Sequence, residues 1–249
     1  MTLTAKTAYL RSLVLMQQEN PTRYPYNLPA IRSLEDLSFH PQVTYICGEN
    51  GTGKSTLMEA IAVAWGFNPE GGTLNFSFAT RASHSSLHER LRLVRGMTKP
   101  RDGFFFRAES YYNLATQIEE LDREPGGRRI IDSYGGVSLH EQSHGESFFA
   151  AFVHRFSGKG LYILDEPEAA LSPLRQLSLL SRIHELVQQD SQFIIATHSP
   201  ILMAYPESLL YYITSAGLEK CTLEQTEHYE VYSQFMTQRE RMLKHLFEA

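Results

Sequence analysis

Residues 43–65 read VTYICGENGTGKSTLMEAIAVAW, and this stretch decides the fold. Val43 to Cys47 is a short apolar run with β-branched members, the pattern of a buried strand, and Leu57 to Trp65 is helix-like. Between them GENGTGKST, Gly48 to Thr56, is a glycine-rich turn with the spacing G-x-x-x-x-G-K-S/T. Glycines in that setting let the backbone curl so that its N–H groups and the helix N-terminus face phosphate oxygens. Lys54 is then placed to reach the β- and γ-phosphates of a nucleotide, and Ser55 to ligate Mg2+. The candidate phosphate-binding residues are therefore Gly48, Glu49, Asn50, Gly51, Thr52, Gly53, Lys54, Ser55 and Thr56. A merely flexible loop would account for the glycines, but not for the lysine and serine that follow them.

Downstream, LYILDEPEAALSP (Leu161 to Pro173) brings an apolar strand to an end on two carboxylates. Asp165 suits a metal-holding role beside Ser55, and Glu166 is placed to orient or deprotonate an attacking water. In IIATHSP another buried strand closes on His198. Open α/β sheets bind ligands at the carboxyl ends of their strands, so His198 is a candidate contact for the γ-phosphate or the water. A helix is expected from Ser172-Pro173, with Leu174, Leu177, Ile183, Leu186 and Val187 on its apolar face. LLYYIT reads as a last strand and TEHYEVYSQFMTQRERMLKHLF as a C-terminal helix. Strands alternating with helices predict an α/β fold with a mostly parallel sheet.

At 249 residues and 42% hydrophobic content, the chain fits one large domain, 1–249, with an embedded, partly helical lobe at about 67–146. Cys47 and Cys221 make no disulfide framework, and a reducing, cytoplasmic setting is expected. Arg11 interrupts the first apolar run, so no signal peptide is expected. No stretch approaches the roughly 20 apolar residues of a membrane span, so no direct membrane insertion is expected. The net charge of −5 offers no global attraction to nucleic acid. Residues 81–107 nevertheless carry Arg81, Arg90, Arg92, Arg95, Lys99, Arg101 and Arg107 against Glu89 and Asp102, a candidate DNA contact beside the plainer reading of a solvated face.

These elements resemble the ABC-type ATPases, in particular small soluble AAA/ABC-like ATPases related to the chromosome-maintenance and recombination-repair branch. GENGTGKST, SHGES, LYILDEPEAALSP and IIATHSP occur in family order over nearly the whole length. The resemblance implies a P-loop NTPase head that binds ATP and Mg2+, with Ser55 and Asp165 as metal ligands and Glu166 and His198 as catalytic residues. It also implies an ATP-sandwiched homodimer, in which Ser143, His144, Gly145 and Glu146 form a signature acting on the partner's γ-phosphate. Asp165 follows Glu146 by 19 residues, enough for a helix, a turn and a strand. Gln142 and His144 replace the family's leucine and first glycine. No glutamine occurs from Leu57 through Thr116, so Glu109 or Ser110 is the candidate for the role of the family's glutamine loop. Tyr24 and Tyr26 are candidates to stack on adenine. The implied function is ATP hydrolysis driving dimerisation and shape change, in repair, defence or regulation and with an unidentified protein partner. The alternatives are the nucleotide-binding subunit of a transporter and a regulatory ATP-binding module with little hydrolysis.

The letters HEQSH, His140 to His144, also satisfy HExxH, which on a helix would bind zinc with the glutamate as base. Gly135-Gly136 before it and Gly145 within the overlapping SHGES interrupt the helix such a site needs.

Overall fold

The structure, a computed structural model, describes residues 3–4, 7–16, 22–74, 85–123, 129–141 and 144–248. Its strands are β1 (Leu10–Leu15), β2 (Asp36–Ser38), β3 (Val43–Gly48), β4 (Leu91–Arg95), β5 (Asp102–Arg107), β6 (Gly160–Asp165), β7 (Gln192–Ala196), β8 (Leu209–Thr214) and β9 (Gly217–Cys221). Its helices are α1 (Pro29–Arg32), α2 (Lys54–Trp65), α3 (Tyr111–Arg123), α4 (His144–Ala150), α5 (Pro173–Gln188), α6 (Pro200–Met203) and α7 (Glu227–Glu248). A six-stranded sheet has the order β5-β6-β7-β3-β8-β9, parallel except for the β8–β9 hairpin. A second, antiparallel sheet runs β2-β1-β4.

The central strands β3, β6 and β7 are buried along their whole length, as expected of a parallel sheet covered on both faces. Side chains alternate between two cores. Tyr45, Phe104, Phe106, Tyr162 and Phe193 pack with α3, α4 and α5, whereas Ile46, Phe105, Ile163 and Ile194 pack with α2 and the antiparallel sheet. Each such fully buried side chain contributes roughly 1.5–3 kcal/mol by leaving water. This sandwich fixes where the strands end. Because β7 lies between β3 and β6, the carboxyl ends of those three strands and of β5 meet at one edge.

A buried glutamine ties the two sheets together. The Gln192 side chain accepts from Leu10 N (2.9 Å) and donates to Leu10 O (2.7 Å) and His40 O (3.0 Å). Gln192→Leu keeps the volume but orphans these backbone groups. It should lower unfolding free energy by roughly 2–4 kcal/mol, read as a lower denaturant midpoint; an unchanged midpoint would mean that those groups find other partners.

Helix α5 starts where expected, with Ser172 capping Arg175 N (3.4 Å). Its buried face is Leu179, Ile183, Leu186 and Val187, while Leu174 and Leu177 are 73% and 52% exposed. At about 100° per residue, Leu174 falls on the side opposite Ile183, so the expected apolar face included two residues that do not share it. The stretch 67–146 divides: β4 joins the antiparallel sheet, β5 forms an edge of the main sheet, and α3 packs on the core that holds Phe104, Phe106 and Tyr162. The strand β9 was not expected, since GLEKC is a polar edge strand without an alternating apolar pattern.

Candidate nucleotide-binding site

The loop after β3 closes on itself through its lysine. Gly53, at φ 99°, caps α2 in the left-handed region that favours glycine. Lys54 follows, 4% exposed, and its Nζ donates to Gly48 O (2.8 Å) and Glu49 O (2.9 Å). Burial pushes the lysine pKa down, against the pull of Glu166 and Asp165. An ammonium held against these loop carbonyls is ready to exchange them for phosphate oxygens.

At the end of β6, Asp165 is 2% exposed and accepts from Ser55 Oγ at 3.2 Å. Burial pushes its carboxyl up to about 7, outweighing Arg107 and the serine hydroxyl. A dehydrated carboxylate beside a hydroxyl is a hard-oxygen pair, the donor set Mg2+ prefers alongside water and phosphate oxygens. Ser55 and Asp165 thus fit the expected metal.

Glu166 occupies a left-handed backbone position, φ 51°, unusual for a side chain of its size. Its N–H is held by Ala196 O at 2.9 Å, and its Oε1 lies 3.5 Å from His198 Nε2. The approach of His198 holds the Glu166 carboxyl below its ordinary range, overcoming partial burial. It is therefore ionised near neutrality, the state a base requires. The backbone of His198 donates to Glu168 Oε1 at 2.6 Å, and burial raises the Glu168 pKa.

The structure therefore brings Lys54, Ser55, Asp165, Glu166 and His198 together at one sheet edge. It adds two residues that the sequence did not single out for this site. Arg107, opposite Asp165 in the β5–β6 register, contacts Glu59 (2.7 Å) and Glu109 (3.3 Å), with its Nε 4.0 Å from Asp165. His228, from α7, meets His198. A register argument could have found Arg107, as the last residue of the strand beside β6. A lone histidine in a polar helix carries no such signal. Ser110 is turned elsewhere, donating to Glu70 O at 2.7 Å. Tyr26 is buried in the core beside α2, and Tyr24 is 59% exposed.

Ser143 and the His144 side chain lie outside the described residues, as does Arg81. A Cβ on Gly145 would stand 2.5 Å from Ala170 O, and Glu146 pairs with Arg175 at 3.6 Å. The start of α4 thus packs on the loop that follows Glu166 in its own chain. His140 sits in a turn, with its Nε2 3.2 Å from Thr116 Oγ1, and α4 begins only at His144. HEQSH is therefore not a helical pair of histidines. Among the described residues no cluster of three or more His, Cys, Asp or Glu is placed to hold a metal ion. In the basic stretch, Arg107 turns toward Glu59 and Asp165, while Arg95 lies 4.4 Å over the Trp65 ring and donates to Ala64 O and Trp65 O at the end of α2. Arg92, Lys99 and Arg101 are exposed. No described helix is long and apolar enough to cross a membrane.

Strand order, phosphate loop and paired carboxylates define an α/β P-loop NTPase of the ABC type. The chain belongs to the family described as "AAA domain, putative AbiEii toxin, Type IV TA system", which matches residues 75–204, and a further "AAA domain" family matches residues 27–101. It is 28% identical over 196 residues to the "Putative ribose/galactose/methyl galactoside import ATP-binding protein 2" of Agrobacterium fabrum, covering 68% of this chain and 36% of that protein. With the Ribose import ATP-binding protein RbsA of Yersinia pestis it shares 25% identity, over 76% of this chain and 39% of the relative. The chain thus spans little more than a third of these relatives' length. The ADP conformation of an ATP-binding cassette of an ABC transporter aligns with a TM-score of 0.51 at 17% identity, over 90% of this chain and 98% of that one, which shows the shared fold.

Proposed function

We propose that the chain binds Mg-ATP and hydrolyses it, using the cycle to close and reopen a homodimer. The observation that carries this reading is the 3.5 Å approach of Glu166 and His198 at the same edge as Lys54, Ser55 and Asp165. Lys54 would leave its loop carbonyls for the β- and γ-phosphates. When bound, Mg2+ at Ser55 and Asp165 supplies positive charge against the phosphate oxygens. Glu166 then takes a proton from water as the water oxygen bonds to the γ-phosphorus. The bond to the bridging oxygen breaks, and ADP leaves with that electron pair. His198 donates from Nε2 toward the γ-phosphate or the attacking water.

Dimerisation through Ser143, His144, Gly145 and Glu146 in trans follows from the family resemblance and the position of α4 beside the loop after Glu166. Light scattering of Glu166→Gln with ATP tests it: a dimer that forms with ATP and dissociates with ADP is expected, and a monomer with ATP bound would remove the dimer step. Repair, defence or regulation remain the proposed settings, and the toxin–antitoxin wording of the family description agrees with defence. The import proteins among its relatives favour a second reading, the nucleotide-binding subunit of a transporter. Copurification with a membrane-spanning subunit would select that reading. A regulatory module would instead bind ATP without turnover. DNA contact through 81–107 rests on Arg92, Lys99 and Arg101; binding indifferent to salt would remove it.

A further inference from the structure

The contacts of His198 continue out of the nucleotide site into the C-terminal helix. His198 Nδ1 and His228 Nε2 are 2.9 Å apart, with ring centroids at 5.1 Å. The other nitrogen, His198 Nε2, is buried and has no hydrogen-bond partner closer than the 3.5 Å approach to Glu166 Oε1. An ionised carboxylate only accepts, so the nitrogen facing it carries the proton. A neutral imidazole has a single N–H, and with that proton on Nε2 the Nδ1 of His198 must accept. The donor is then His228 Nε2–H. His228 Nδ1 is left without a proton, in keeping with its lack of a hydrogen-bond partner. Orphaned buried acceptors are tolerated more readily than orphaned N–H groups. Burial above all holds the His228 imidazole below its ordinary range, which keeps it neutral.

We infer that His228 is a positioning residue: it holds His198 as the Nε2–H tautomer, with that N–H facing Glu166 and the place of the attacking water. The inference rests on the catalytic reading of His198 only for its consequence, since the tautomer is a property of the nucleotide-free protein. His228 stands in the first turn of α7, where Thr226 Oγ1 accepts from Tyr229 N (3.2 Å) and Tyr212 donates to Glu227 (3.2 Å). No residue of α7 is fully buried, and Tyr229, Tyr232 and Met236 line a cleft of about 660 Å3 facing α6 and the start of α5. The helix that carries His228 is thus anchored mainly at the end that reaches the site, so its seating bears directly on His198.

The test is a long-range proton–nitrogen correlation spectrum of histidine-labelled protein, with the His198 signals assigned from His198→Gln. Wild type should show His198 protonated at Nε2 and accepting at Nδ1, and His228→Ala should show a mixture of tautomers. His228→Gln, whose amide nitrogen can donate from nearly the same place, should restore the wild-type pattern. In parallel, His228→Ala should lower kcat for ATP by about 10-fold or more, with KM within about twofold, and His228→Gln should recover most of the loss. An unchanged His198 tautomer in His228→Ala overturns the inference. Wild type that shows the expected tautomer but releases no phosphate leaves the pairing standing and overturns the catalytic reading instead.

Discussion

Glu166→Gln should lower ATP turnover by about 10²–10⁴-fold while ATP stays bound. Glutamine keeps the length and an acceptor oxygen, so the approach of His198 Nε2 at 3.5 Å can persist and the left-handed backbone at φ 51° is undisturbed. What disappears is the charge. Wild-type Glu166 is held ionised by the histidine contact and by Lys54, and only the ionised form can take a proton from water. The amide cannot. Lys54, Ser55 and Asp165 are untouched, so nucleotide affinity should stay within a few-fold of wild type. Measuring phosphate release beside equilibrium ATP binding separates the two effects, and a parallel loss of binding would place Glu166 among the binding groups.

Asp165→Asn should have opposite effects on activity and stability. Activity should fall by at least about 10²-fold, because the anionic oxygen that complements Ser55 at the metal position is lost. Stability of the metal-free protein should rise, for a reason that depends on pH. The folded carboxyl titrates at about 7, above its ordinary value of 3.8, so between these values the folded state binds the proton more tightly than the unfolded state. The contribution of Asp165 to stability therefore falls as pH rises through that window and levels off above about 7. Asparagine has no proton to lose, so the advantage of the variant should grow from pH 4 to pH 7, reaching the order of a few kcal/mol. Arg107 keeps Glu59 at 2.7 Å as a partner, so removing Asp165's charge does not strand it. Melting curves across pH without metal decide the matter; a wild type that gains on the variant as pH rises would contradict the raised carboxyl.

The sequence made the phosphate loop and the two carboxylates legible because local physics dictates them. A glycine at φ 99° before a lysine, and a strand that ends on Asp165-Glu166, are recorded in adjacent letters. His198 was legible for the same reason, as the end of the buried run IIAT. Arg107 and His228 were not assigned to the site, because their roles come from strand order and helix docking. The first depends on β5 pairing beside β6, and the second on α7 returning from 30 residues away to meet His198. Leu174 and Leu177 depart from the expected face for a different reason: leucine content alone does not fix the angle at which a side chain leaves the helix. The polar strand β9 escaped because an exposed edge needs no alternation.

Phosphate release by the wild-type protein with ATP, in Mg2+ and again with the metal chelated, measured beside Glu166→Gln, tests the central claim most directly. Release that needs Mg2+ and nearly vanishes in the variant is the expected result. Wild type that binds ATP and releases no phosphate, or a variant that turns over at the wild-type rate, would contradict it.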